Sequence, residues 1–129
     1  MTRFFVRGIP TKRRPRFTKQ GRAYTDEKTK KEMEEIAVRY KGQKHKGCVS
    51  VEVDIYPKLP KNAPKRLEDT PAMKKPDVDN VLKIVMDALQ GVAYDDDKQV
   101  TRTRTHRHAM QRIDMDYIVI TVAPIERER

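Results

Sequence analysis

A strict alternation of apolar and polar residues is the feature that most constrains the fold of this chain. The apolar members are Val49, Val51, Val53 and Ile55, and the polar members are Ser50, Glu52, Asp54 and Tyr56. Successive side chains of a β-strand point to opposite faces of the sheet. The pattern therefore predicts a strand with one face buried and one face turned toward solvent.

Two segments have the periodicity of amphipathic helices. In the first, Thr25 is expected to cap a helix that carries the apolar stripe Met33, Ile36, Ala37 and Tyr40. The second runs from Asp79 to Gln90 and ends near Gly91, and its stripe consists of Val81, Leu82, Val85, Ala88 and Leu89. These spacings predict two main helices, each with one apolar face.

Three further segments predict strands. A short strand is expected at Phe4 to Val6, ended by Gly8 and Pro10. Between Lys98 and His108 the period of two places Val100, Arg102, Arg104, His106 and His108 on one face, and Thr101, Thr103, Thr105 and Arg107 on the other. Tyr117 to Ala123 is apolar apart from Thr121, which predicts a strand covered on both faces.

These elements predict one domain that spans residues 1–129. Its expected class is α/β (α+β), a small mixed β-sheet flanked by two main helices. Residues 1–24 form a basic arm without an acidic residue, and residues 124–129 form a frayed charged tail. Residues 57–76 are rich in proline and lysine and predict a long loop, either a flap that engages DNA or a passive linker.

The charge balance indicates a polyanionic partner. Lys and Arg number 29 and Asp and Glu number 19, for a formal net charge of +10. A single cysteine excludes an intrachain disulfide framework and suits a reducing compartment. Without an apolar run long enough to span a membrane, we expect a soluble, cytoplasmic protein with no membrane partner.

Acidic residues cluster around the second helix despite this positive charge. Asp77 and Asp79 stand at its start, and the run Asp95 to Asp97 follows its end. Lys83 lies one turn after Asp79, and Asp87 lies one turn after Lys83. A hard divalent cation held by carboxylates would reconcile acids with a phosphate substrate. The alternative is that Asp77 and Asp79 are helix caps and that the run of three acids is a hydrated turn.

Other familiar sites are absent or incomplete in the sequence. Val81 and Leu82 stand where an EF-hand calcium loop needs a ligand and a glycine. The scattered glycines form no phosphate-binding loop, so we expect no nucleotide cofactor. His106 and His108 lack the cysteine or third histidine expected of a zinc site, so we interpret them as phosphate-facing or solvated.

The residues around the second helix resemble the signature of a known family. They are Lys75-Pro76-Asp77-Val78-Asp79-Asn80, Lys83, Asp87-Ala88-Leu89 and Asp96-Asp97-Lys98-Gln99-Val100. Together they are similar to the RusA family of Holliday-junction resolvases, which bacteria and their prophages encode. The resemblance implies a homodimer that binds four-way DNA junctions and nicks two opposing strands with Mg²⁺, for which Mn²⁺ is expected to substitute.

The resemblance also assigns roles to residues. Asp77, Asp79 and Asp97 would be the catalytic acids and metal ligands, Asp96 an assisting ligand, and Lys83 the essential lysine. We expect the DNA backbone to be contacted by Arg14, Arg16, Lys75, Arg102 and Arg104. The competing hypotheses are a non-catalytic basic DNA-binding or replication-accessory protein, and a nuclease with a broader range of branched or single-stranded substrates.

Overall fold

The computed structural model describes residues 1–10, 16–17, 23–24, 27–70 and 77–125. Its elements, in chain order, are β1 (Thr2–Arg7), β2 (Arg16–Phe17), β3 (Ala23–Tyr24), α1 (Glu27–Arg39), β4 (Val49–Tyr56), α2 (Val78–Leu89), β5 (Val100–Arg107) and β6 (Tyr117–Pro124). Two short 3₁₀ helices occupy Lys65–Leu67 and Asp97–Gln99. No helix in the described ranges has the length and apolarity that crossing a membrane requires.

The main sheet is mixed and has the strand order β1-β6-β4-β5. The pairs β1–β6 and β4–β6 are antiparallel, whereas β4 and β5 are parallel. Parallel neighbours require a crossover connection, and α2 lies within the one between β4 and β5. The expected small α+β fold with a mixed sheet and two helices is confirmed.

Both helices pack on the same face of this sheet. The odd-numbered residues of β4 from Val49 to Ile55 are at most 1% exposed and face the helices. They share one core cluster with Ile36 of α1 and with Val81 and Val85 of α2. The alternation in the sequence therefore identified the buried face of β4 correctly.

The other face of the sheet, called the open face below, is covered by no helix of the described residues. It carries the even-numbered residues of β4 and, from β6, Tyr117 and Val119, which are partly exposed. The prediction that β6 is covered on both faces is wrong. Ile118, Ile120 and Val122 are buried under the helices, which accounts for the apolar residues on one face of the strand. Because β6 lies between β1 and β4, its backbone groups form hydrogen bonds along both edges.

A shift of register at the start of β5 places Val100 on the face of the sheet opposite to the predicted one. Val100 pairs with Val49, but Ser50 pairs with Arg102, so Thr101 is an extra residue in the strand. Val100 consequently packs against the core instead of sharing a face with Arg102. The strand also begins at Val100 instead of Lys98, because the three residues before it form a 3₁₀ turn.

The described part of the long loop is tied to the segment before β6. The backbone N–H of Leu59 donates to Gln111 (2.8 Å), and that of Asp69 donates to Met110 (2.8 Å). Leu59 is also buried. Residues 58–70 are therefore docked against this segment rather than forming a passive linker. Residues 11–15 and 18–22 of the basic arm, the predicted cap Thr25, residues 71–76 of the loop and residues 126–129 lie outside the described residues.

Candidate active site

The exposed side of α2 presents a line of charged side chains. Val81, Ile84 and Val85 anchor the opposite side of the helix in the core. Asp79 and Lys83 are exposed, and Asp87 is partly buried. A spacing of four residues separates neighbours by about 6 Å along the helix axis, so Lys83 stands between two carboxylates. The predicted common helix face is confirmed by this burial pattern.

Asp77 occupies the N-cap position of α2 without capping through its side chain. Its backbone carbonyl accepts hydrogen bonds from the N–H groups of Asn80 (3.1 Å) and Val81 (3.3 Å), which starts the helix. Its carboxylate makes no capping hydrogen bond and the residue is exposed. The capping bond suggested by the sequence is therefore absent, which leaves this carboxylate at the positive end of the helix dipole.

The three acids after α2 have different environments. The carboxylate of Asp95 pairs with Lys44 at 2.6 Å. Asp96 caps the 3₁₀ turn, because its carboxylate accepts a hydrogen bond from the N–H of Lys98 (3.0 Å). That bond, together with the positive charge of Lys98, holds the pKa of Asp96 below its ordinary value. Asp97 is exposed and is the first residue of the 3₁₀ turn.

The side chain of Gln99 fixes this acidic turn to the loop before β4. Its Oε1 accepts hydrogen bonds from the N–H groups of Asp95 (2.8 Å) and Asp96 (3.0 Å). Its Nε2 donates to the carbonyls of His45 and Gly47, both at 3.0 Å. The oxygen and the nitrogen of this amide therefore both form hydrogen bonds. The backbone that carries the acids cannot shift without breaking several of these bonds.

Tyr94 links the acidic turn to α2. Its side chain is fully buried, and its hydroxyl donates a hydrogen bond of 2.6 Å to the carbonyl of Met86. Burial raises the pKa of Tyr94 well above its ordinary value, and the nearby carboxylates of Asp97 and Asp87 raise it further. The hydrogen bond of Tyr94 to Met86 thus ties the turn that carries Asp97 to the C-terminal end of α2, which carries Asp87.

His45 is a second buried polar residue beside this turn. It is 8% exposed, its N–H donates to the carbonyl of Ala93 (2.8 Å), and its Nε2 has no hydrogen-bond partner among the described residues. The sequence predicted neither the role of His45 nor that of Tyr94. Tyr94 follows the apolar residues Val92 and Ala93, but His45 lies between two lysines, so the sequence carries no signal for its burial.

The predicted metal ligands do not all converge within the single chain. Asp96 and Asp97 are adjacent at the start of the 3₁₀ turn, and Asp79 stands one turn from Lys83. Among the described residues, however, the group of three potential ligands with atoms within 4.8 Å of one another is Asp54, His106 and His108. No three of Asp77, Asp79, Asp96 and Asp97 form such a group in this part of the chain.

The predicted DNA-contacting arginines of β5 lie on the open face of the sheet. Arg104 forms ion pairs with two acids of the neighbouring strand, since its guanidinium lies 3.8 Å from Glu52 and 3.5 Å from Asp54. Arg102 is exposed and forms no ion pair with a described residue. Arg14 and Lys75 lie outside the described residues. Arg16 pairs through its backbone with Tyr24 in the two-stranded sheet.

The histidines of β5 and the following residues have a carboxylate partner that the sequence did not predict. Asp54 is the register partner of His106 and is 5% exposed, and its Oδ1 lies 2.8 Å from Nε2 of His108. The ring of His108 is stacked between His106 (4.2 Å between centroids) and Tyr56 (4.3 Å). The interpretation that these histidines are merely solvated is therefore wrong for His108, while the interpretation that they face phosphate stays a prediction.

A small mixed sheet with exposed carboxylates along one helix defines the fold class and a candidate site but no activity, and comparison with known proteins shows the family. The family model described as endodeoxyribonuclease RusA matches residues 8–121, which is most of the chain. The protein therefore belongs to the RusA family of endodeoxyribonucleases, whose general activity is the nucleolytic resolution of Holliday junctions. A search of curated proteins found no match.

Proposed function

We propose that this protein is a Mg²⁺-dependent endonuclease that resolves four-way DNA junctions by paired symmetric nicks during recombination and repair. The family match carries the proposal, since residues 8–121 include the acids at both ends of α2. The exposure of Asp77, Asp79 and Asp97 supports it, because a carboxylate must be accessible to meet a metal and a phosphate together.

The donor chemistry around α2 fits Mg²⁺. This ion prefers oxygen ligands, retains several waters, and is commonly held by one or two carboxylates together with substrate phosphates. Such a site does not require three protein ligands to converge before DNA binds. We assign Asp77, Asp79 and Asp97 as its ligands, with Asp96 beside Asp97 as an assisting ligand, and expect Mn²⁺ to substitute. When bound, the cation would polarise a phosphate and lower the pKa of its water.

Lys83 is the proposed electrostatic partner of these acids. It lies on the exposed side of α2, one turn from Asp79 and one turn from Asp87. An ammonium group in this position would stabilise the negative charge that builds on the phosphate as a strand is cut. It would also offset the repulsion between the carboxylates and the DNA backbone.

Positive charge elsewhere supports the assignment of DNA as the substrate. The net charge of +10 favours phosphate contacts through counterion release. Arg102, without an ion pair to any described residue, is the side chain of β5 best placed to offer its charge to a phosphate. We retain Arg14, Arg16, Lys75 and Arg104 as proposed contacts, which position the junction without reading its bases.

The proposed working form is a homodimer. A four-way junction must be cut at two related points to give unbranched duplexes, and a two-fold symmetric pair of active sites matches that requirement. A single site would leave a junction that carries one nick.

Substitution of Asp79 tests the catalytic proposal. Asp79→Asn removes the charge of an exposed residue and is expected to keep the fold and the affinity for a synthetic four-way junction while it abolishes cleavage. Asp114→Asn is the matched control, because Asp114 is an exposed aspartate on the loop before β6 and belongs to neither group of acids. Normal cleavage by Asp79→Asn would show that the proposed metal site is wrong.

The non-catalytic alternative is favoured by one observation. Asp95 is ion-paired and Asp96 caps a turn, which are structural roles for two acids of the signature region. Under this alternative, a junction would be bound but remain intact with Mg²⁺ or Mn²⁺, and Arg102→Ala would weaken binding to all duplexes alike. Cleavage of flaps or single strands at rates equal to those for junctions would instead support the broader nuclease.

A further inference from the structure

We infer that Asp54, His106 and His108 form a binding site for a divalent transition-metal ion of the Zn²⁺ type, on the open face of the sheet. The site is separate from the carboxylates around α2, because α2 packs on the opposite face of the sheet. It does not depend on the proposed nuclease function, because its ligands belong to β4 and to the region of β5.

The pairing of β4 with β5 brings the three side chains together. Asp54 and His106 are directly paired in the parallel register, and His108 follows His106 by two residues on the same side. The N–H of His108 donates to the carbonyl of Ile55 (2.8 Å), which continues the pairing by one step. As a result, one ligand atom from each of the three residues lies within 4.8 Å of those of the other two.

The donor set selects the class of metal. Two imidazoles and one carboxylate suit Zn²⁺, Co²⁺ or Fe²⁺, whereas Mg²⁺ prefers oxygen ligands alone. His106 is exposed, so the remaining coordination positions would be open to water or to an external ligand. This combination of three protein ligands and open positions differs from the closed tetrahedral sites of structural zinc.

The surroundings hold two of the ligands in place. Asp54 is 5% exposed, and a carboxylate at this depth requires a compensating cation. The ring of His108 stacks on Tyr56, which in turn stacks on Tyr117 at 4.7 Å between centroids. Neighbours that orient a ligand ring in this way commonly raise metal affinity.

Existing contacts must rearrange when the ion binds. The imidazoles of His106 and His108 are stacked with an angle of 3° between their planes, so a single ion cannot lie in both planes. Rotation of the exposed His106 about its terminal side-chain torsion, which has a broad energy minimum, corrects this. The ion would also replace the contacts of Asp54 with His108 at 2.8 Å and with Arg104 at 3.5 Å.

The test is a calorimetric titration of the full chain with Zn²⁺ in a Cys48→Ser background, since the exposed thiol of Cys48 is a competing ligand. The side-chain nitrogen resonances of the three histidines, recorded in the same titration, identify the ligands. We expect Zn²⁺ to shift the resonances of His106 and His108 and not those of the buried His45, and we expect Mg²⁺ to shift none of them. Zn²⁺ shifts confined to His45, or absent from all three, would overturn the inference.

Two substitutions sharpen the outcome. His106→Ala alters an exposed residue, so the chain should still fold, and Zn²⁺ binding should weaken by at least about tenfold. Arg104→Gln removes the cation that competes for Asp54 and should tighten binding. Unchanged affinity in His106→Ala, or weaker binding in Arg104→Gln, would contradict the site. Asp79→Asn should retain the Zn²⁺ affinity, which separates this inference from the proposed Mg²⁺ site.

Discussion

The side-chain amide of Gln99 donates a hydrogen bond of 3.0 Å to the backbone carbonyl of His45, which lies 54 residues earlier in the chain. The same amide accepts hydrogen bonds from the N–H groups of Asp95 and Asp96. A single side chain thus connects the loop before β4 to the turn that carries the acids. The position of Asp97 relative to α2 depends on this connection and on the hydrogen bond of Tyr94 to Met86.

Gln99→Ala is therefore expected to lower the free energy of unfolding by about 2 kcal/mol, because the carbonyl and N–H groups that it leaves lose their partners. It should also raise the Mg²⁺ concentration needed for half-maximal cleavage. Urea unfolding and a Mg²⁺ titration of cleavage measure the two effects. Gln90→Ala, which changes an exposed glutamine at the end of α2, is the control and should alter stability by less than about 0.5 kcal/mol. Equal effects of both substitutions would show that Gln99 does not hold the turn.

Asp97 and Asp95 should respond differently to the same change. Asp97→Asn is expected to reduce the rate of junction cleavage on the order of 100-fold, because it removes a proposed metal ligand. Asp95→Asn loses only a surface ion pair with Lys44, which contributes about 0–1 kcal/mol to stability, and should cleave at close to the wild-type rate. Single-turnover rates on a labelled junction measure both. A larger loss for Asp95→Asn would move the proposed ligand to that residue.

Arg102 and Arg104, two of the three arginines of β5, should differ in their contribution to DNA binding. Arg102→Ala is expected to make the plot of log affinity against log salt concentration shallower by about one, since one phosphate contact is lost. Arg104→Ala should change the slope less, because Glu52 and Asp54 already offset its charge. Binding of a junction at several salt concentrations measures the slopes. An equal or greater change in Arg104→Ala would contradict this ranking.

Tyr94→Phe should lower the free energy of unfolding at neutral pH by about 1 kcal/mol, because the hydrogen bond to Met86 is lost. The pKa of Tyr94 is raised in the folded state, so stability from its neutral phenol is fully present below the ordinary tyrosine pKa of about 10 and is lost as the pH rises above it. The difference in stability between wild type and Tyr94→Phe should therefore narrow in alkaline solution. Denaturation at a series of pH values measures it, and a difference that widens with alkaline pH would contradict the assigned environment of Tyr94.

The sequence predicted the features of the fold that depend on local periodicity. The alternation around Val53 identified a strand and its buried face, and the stripe around Val85 identified α2. The signature around α2 identified the family that the match over residues 8–121 confirms. These features are local because the side-chain directions of a strand or helix repeat every few residues. A short segment therefore contains the complete pattern of buried and exposed positions.

The features that the sequence did not predict depend on pairing between distant segments. The extra residue at Thr101 shifts the register of β5, and only the pairing with β4 shows it. The contact between Asp54 and His108 likewise requires the parallel pairing of two strands with a helix between them in the chain. The partial exposure of Val119 follows from both helices lying on one face of the sheet, and strand composition alone does not reveal this arrangement.

The most direct test of the proposed function is cleavage of an end-labelled synthetic four-way junction beside a linear duplex of matching sequence, with Mg²⁺ and with chelator. We expect paired nicks at symmetry-related positions of the junction only, and only when Mg²⁺ is present. Tight binding of the junction without cleavage, under Mg²⁺ and Mn²⁺ alike, would contradict the proposal that this chain is a junction-resolving nuclease.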